Sequence, residues 1–207
     1  MAHVVPADSA SSSASAHQAA GPSIDNSTLG FWIFLSAECI LFGSLIGTYL
    51  LLHTQTNGGP TPQSIFDLRL TFIGTIALLL SSLTMVLAYY QTLRGNLRAM
   101  RGWLLVTIGL GLVFLVETAF EFTGFWHAGL TLQTSPFGSA FYTLVGFHAM
   151  HVTFGLFWIT SLLFYSFKPE FAKEKVTKVG VMGLYWHFVD VVWIVIFSVV
   201  YLLGKAV

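Results

Sequence analysis

Apolar residues collect into long runs along this chain, and polar residues into the stretches between them. The runs at about 29–52, 70–92, 102–123, 139–167 and 180–203 are each long enough to cross a bilayer, which takes about 20 residues as an α-helix. The fourth run exceeds one span and is expected to tilt or to extend past the headgroups. Little sequence is left over, so the pattern predicts an all-α membrane protein, a bundle of five transmembrane helices over residues 29–207. Residues 1–28, MAHVVPADSASSSASAHQAAGPSIDNST, break the pattern: they are polar, rich in Ala and Ser, and lack Lys, Arg and an apolar core. They read as a disordered tail rather than a signal peptide.

Composition supports the same class. The 207 residues are 55% hydrophobic and 9% charged, with mean hydropathy +0.76, whereas soluble domains carry roughly 25% charged residues. Nine Lys and Arg balance nine Asp and Glu, so no net charge points to nucleic acid. Cys39 is the only cysteine, which excludes a disulfide or a multi-thiolate metal site within one chain.

The placement of the charges adds an orientation. Arg94, Arg98 and Arg101 lie in the second loop, and Lys168, Lys173, Lys175 and Lys178 in the fourth. Only Arg69 and Lys205 fall on the other side. Basic loops favour the cytoplasm, so the N-terminus is expected inside and the C-terminus outside. The turn-rich first loop, HTQTNGGPTPQSIFD, and the third, GFWHAGLTLQTSPFG, would then face outward. Trp32, Trp103, Trp126 and Trp186 are expected at headgroup level, where amphipathic rings are favoured. Gly43 and Gly47 have the GxxxG spacing, and Ser81 and Ser82 are small; such residues let helices approach closely, although glycine is also simply common in membrane helices.

Ionisable residues inside the spans are the candidate chemistry: Glu38, Glu117, Glu121, His148, His151, His187 and Asp190. A charge at the bilayer centre costs at least about 2.5–3.5 kcal/mol, so such groups face protein and find partners. At 1.5 Å per residue, Glu38, His148 and Asp190 each lie roughly 14–15 Å from a span end, near the midplane. His148, His151 and Gly155 share a face of the fourth helix, His187 and Asp190 one of the fifth, and Glu117 and Glu121 one of the third. Glu38 is expected as a neutral acid or hydrogen-bonded to His148 or His151, and reactive towards hydrophobic carbodiimides.

Three readings fit these residues. They could bind metal or haem, as imidazole and carboxylate do in helical bundles. However, no acid stands three residues before either His148 or His151, and no histidine follows Glu117 or Glu121 closely. They could form a proton or ion pathway, as in a stand-alone transporter. Or they could brace helices, at about 0.6–2 kcal/mol per buried polar pair.

Three motifs in order, LGFWIFLSAECILF (29–42), GFHAMHVTFG (146–155) and YWHFVDVVW (185–193), resemble subunit III of haem-copper terminal oxidases, in the short bacterial five-helix form. The resemblance spans nearly everything after residue 28. It implies a non-redox subunit of a proton-pumping complex that reduces O2 to water. This chain would carry no cofactor; haems and copper would reside in partner subunits I and II, with a small subunit IV. It also implies bound phospholipid, stabilisation of subunit I, sustained proton uptake, and a bacterial inner (cytoplasmic) membrane. Glu38 matches the family's membrane-embedded carboxylate, His148 and His151 its HxxH positions, and His187 and Asp190 its WHFxD positions. Similar proteins carry two acids three apart. Here VETAFEF spaces them by four, so Glu121 fits and Glu117 is displaced. Helix bracing is the expected role of Glu121, His148, His151, His187 and Asp190. The first loop, with GGPT ahead of IFDL, leans towards a quinol rather than cytochrome c as electron donor.

Overall fold

The computed structural model describes residues 26–56, 58, 61 and 68–206. The tail to residue 25 and most of the first loop, including most of the stretch from GGPT to IFDL, lie outside the described residues. Five long helices follow in order: α1 (Asn26–Leu52), α2 (Leu68–Leu93), α3 (Leu97–His127), α4 (Pro136–Tyr165) and α5 (Phe171–Ile196). A π-helical turn, Phe197–Leu202, and a short α6, Leu203–Ala206, continue α5. No strand occurs among the described residues. Each of the five helices is long and apolar enough to cross a membrane.

Local chemistry sets the helix ends where hydropathy alone does not. Gly95, at φ +75°, closes α2, with Asn96 N–H donating back to Gln91 O at 3.0 Å. The Asn96 side chain then caps α3 by accepting from Ala99 N at 3.1 Å. One residue thus ends one helix and starts the next, which makes the turn very tight. Gly129, at φ +86°, ends α3 in the same way, with Leu130 N–H reaching Phe125 O at 3.0 Å. Ser135 caps α4, accepting from Gly138 N at 3.1 Å, and Pro136 occupies the first turn, where its missing N–H costs nothing.

The helices do not share the core equally. α2 and α3 pack most extensively, α5 lies against α2 and α4, and α4 against α3. α1 sits outside, touching α4, α5 and the π-turn. It buries a single ridge, Leu35, Phe42 and Tyr49, seven residues apart and so on one face of the helix. Ile33, Ile40 and Leu51 remain exposed, as suits a surface facing lipid or another membrane protein.

Trp186 lies at the centre and is fully buried. The expectation of a headgroup-level Trp186 is therefore wrong: α5 begins at Phe171, earlier than its apolar run, and places this indole mid-helix. Trp32 and Trp126 are exposed near helix ends. The Trp186 ring occupies a slot between two glycines. A Cβ on Gly111 of α3 would stand 3.1 Å from Cη2, and one on Gly155 of α4 would stand 2.8 Å from Cζ3. Its Nε1 donates to Ser81 Oγ of α2 at 2.9 Å. One side chain therefore ties four helices together. The GxxxG pair of α1 takes no such part, because among the described residues no other helix comes within 4 Å of a Cβ built on Gly43 or Gly47.

Candidate functional site

Glu38, on the outer helix α1, meets His151 of α4. Its Oε2 is 3.0 Å from Nε2, and the two side chains are 15% and 12% exposed. His151 Nδ1 lies 2.7 Å from the Phe147 carbonyl. A carbonyl only accepts, so Nδ1 carries a proton. A single proton then lies between Nε2 and Glu38, held by one or the other. Whichever holds it, the pair is neutral overall, the state a membrane interior tolerates. Phe42 lies edge-on to the His151 ring at 5.0 Å, and Tyr185 Oη donates to the His151 carbonyl at 3.0 Å. Of the two imidazoles expected to reach Glu38, His151 is the one placed to do so.

His148 faces elsewhere. It is fully buried, stacked on Trp193 at 5.0 Å and edge-on to Phe114 at 5.8 Å. His187 and Asp190 share a face of α5, but their contacts differ. His187 Nδ1 is 2.6 Å from Ser82 Oγ of α2. Asp190 is 3% exposed, and its carboxyl oxygens have no hydrogen bond among the described residues. The Ser82 hydroxyl lies near Asp190 as well. His187 and Asp190 thus occupy two separate environments beside one serine. Three-residue spacing brings side chains to the same face, but α2 supplies the better-placed hydroxyl.

Towards the end of the bundle bearing the 128–135 loop, Glu121 is bound by two donors from other helices. Thr71 Oγ1 of α2 donates to Oε1, and Tyr201 Oη donates to Oε2 at 2.9 Å. Tyr201 belongs to the π-turn, whose widened backbone also leaves the Val200 carbonyl as an acceptor for Tyr49 Oη at 3.4 Å. Glu117, one turn earlier, is 6% exposed and packs where Gly74 lacks a side chain; a Cβ there would collide with its carboxyl group. Among the described residues, no three His, Cys, Asp or Glu side chains come together as a metal site requires.

Sequence reasoning missed the hydroxyl partners. Thr71, Thr75 and Ser82 recur on one face of α2 at i, i+4 and i+11. Thr75 Oγ1 accepts from Trp193 Nε1 at 3.0 Å, and Asp190 and Trp193 of α5, with Tyr201 of the π-turn, form the facing stripe. That matched pair of stripes is the signal that could have found them.

A family profile described as Cytochrome c oxidase subunit III matches residues 11–205. The chain belongs to the cytochrome c oxidase subunit III family. It is 46% identical over 179 residues to "Cytochrome c oxidase subunit 3" of Bacillus sp. (strain PS3), covering 86% of each chain. It is 43% identical over 176 residues to "Quinol oxidase subunit 3" of Bacillus subtilis (strain 168), covering 85% of this chain and 86% of that one. Against "Cytochrome bo(3) ubiquinol oxidase subunit 3" of Pseudomonas putida it is 41% identical over 176 residues, covering 85% of each. The resemblance carried by the three motifs is therefore a family relationship over most of the chain. This subunit III is a multi-pass membrane component of a haem-copper oxidase complex, with other oxidase subunits as partners.

Proposed function

We propose that this chain is the non-redox subunit III of a proton-pumping terminal oxidase in a bacterial cytoplasmic membrane. It would stabilise subunit I, hold phospholipid and sustain proton uptake, while subunits I and II carry the haems and copper and a small subunit IV completes the complex. The observation that carries this reading is the inward placement of the ionisable groups. Glu117, Glu121, His148 and Asp190 are enclosed by the chain's own helices, an arrangement that suits bracing. The Glu38–His151 pair sits at the seam between α1 and the rest and remains slightly exposed, at 15% and 12%.

Orientation belongs to the same proposal. Arg101 of α3 donates to Ser166 Oγ at 2.9 Å and lies over Phe167, and Lys178 lies over Tyr165 at 4.2 Å. The basic second and fourth loops thus meet at one end of the bundle, which would face the cytoplasm. The donor follows from the partners: a dinuclear copper site in the purified complex would assign cytochrome c, and a quinol-reducible complex lacking it would assign a quinol.

Deleting the chain tests the central claim. The remaining core should keep its haem and copper spectra and reduce O2, but lose activity sooner during turnover. Loss of a haem or copper signal on deletion would overturn it.

A further inference from the structure

Three buried side chains in the bundle leave their polar atoms without a hydrogen bond among the described residues. Both carboxyl oxygens of Glu117, both ring nitrogens of His148 and both carboxyl oxygens of Asp190 lack hydrogen bonds among the described residues. The residues are 6%, 0% and 3% exposed. This chain's own helices shield these atoms, so neither a lipid nor a neighbouring subunit can reach them. Buried polar groups nonetheless find partners, in protein or in ordered water, in the great majority of cases.

The three are not scattered. Along one face of α2, a polar seam runs from Ser82, beside His187, through Thr75, bonded to Trp193, to Thr71 beside Glu121 and Tyr201. At 1.5 Å per residue it is about 17 Å long. Asp190 adjoins it at Ser82, and Glu117 at Gly74. His148 adjoins it through Trp193, whose indole bonds Thr75. Trp193 and Phe114 hold the imidazole by its face and its edge, so a partner for its nitrogens must lie in the ring plane.

We infer that internal water binds at Asp190, His148 and Glu117, making this seam a hydrated track through the middle of the subunit, separate from the Glu38–His151 pair. Globular proteins hold about one buried water per 27 residues, or roughly eight for a chain of this length, so three sites are modest. At Asp190, the Ser82 hydroxyl offers a water a second polar partner beside the carboxyl group.

Radiolytic hydroxyl labelling of the intact oxidase complex, read by mass spectrometry, tests this, because radicals made from bound water mark the side chains beside it. Phe114 and Phe141 are both fully buried, but only Phe114 adjoins both Glu117 and His148. Phe114 should be labelled several-fold more than Phe141 in the unmodified complex. In a complex carrying Glu117→Leu, its labelling should fall towards that of Phe141. Equal labelling of the two phenylalanines in the unmodified complex would overturn the inference. So would a density map that resolves water elsewhere in the complex yet shows none within hydrogen-bond reach of the three side chains.

Discussion

Replacing Gly155 by alanine should drive a methyl group into the most tightly tied side chain of the bundle. A Cβ there would stand 2.8 Å from Trp186 Cζ3, 3.0 Å from Cε3 and 3.1 Å from Tyr185 Cε1. Carbon atoms sit comfortably at about 3.5–4.0 Å, so the indole must retreat by roughly 0.7 Å. It has little room to move. Gly111 borders its far edge so closely that a Cβ there would stand 3.1 Å away, its nitrogen is bonded to Ser81, and it is fully buried. Overpacking of this kind costs about 1–3 kcal/mol. Alanine returns up to about 1 kcal/mol of helix propensity, so the net effect is about 0–2 kcal/mol destabilising. The control is Gly146→Ala, on the same helix, where a Cβ meets nothing within 4 Å. It carries the propensity gain without the clash, so the difference between the two variants isolates the steric cost of about 1–3 kcal/mol. Thermal release of this chain from the purified complex, followed for both variants in one detergent, measures it. A Gly155→Ala variant as heat-stable as Gly146→Ala would refute the view that Trp186 is wedged.

Glu38→Gln should retain the chain in the complex, since the amide N–H can donate to His151 Nε2. Glu38→Ala leaves that nitrogen unmatched at about 1–3 kcal/mol and should loosen the subunit; equal retention of both variants on purification argues against the pair as a brace. Proton pumping by the Glu38→Gln complex should be unchanged in stoichiometry, and a clear loss would make Glu38 part of a proton pathway. Ser135→Ala removes the cap of α4 and should cost about 1 kcal/mol, visible as a lower release temperature; no change would mean the cap is redundant. In a Cys39→Ser background, Gln133→Cys should react with an impermeant thiol reagent from outside, and Asn96→Cys should not. The reverse labelling would invert the proposed topology.

Five spans were legible because hydropathy acts on whole segments. Their ends were less so: α3 begins at Leu97 and runs to His127, because caps at Asn96 and Gly129 outrank the apolar boundary. The depth argument placed Glu38 beside the α4 histidines, but the choice between them depends on the rotation of α4, which no local spacing records. Spacing placed His187 and Asp190 on one face, but a shared face says nothing about what the opposing helix offers. Glu117 was set aside for its irregular spacing, yet it packs against Gly74, a complement visible only across helices. The π-turn gave no sign, since FSVVYL contains neither Pro nor Gly.

The pairing of Glu38 with a residue 113 positions later has a consequence for biosynthesis. Both helices that α1 mainly packs on, α4 and α5, are made after it. At about 5–20 residues per second, roughly 6–23 s separate synthesis of Glu38 from that of His151. During that interval α1 stands in the membrane with its carboxyl unmatched and its docking ridge facing lipid or the insertion machinery. Docking of α1 therefore waits on helices made long after it.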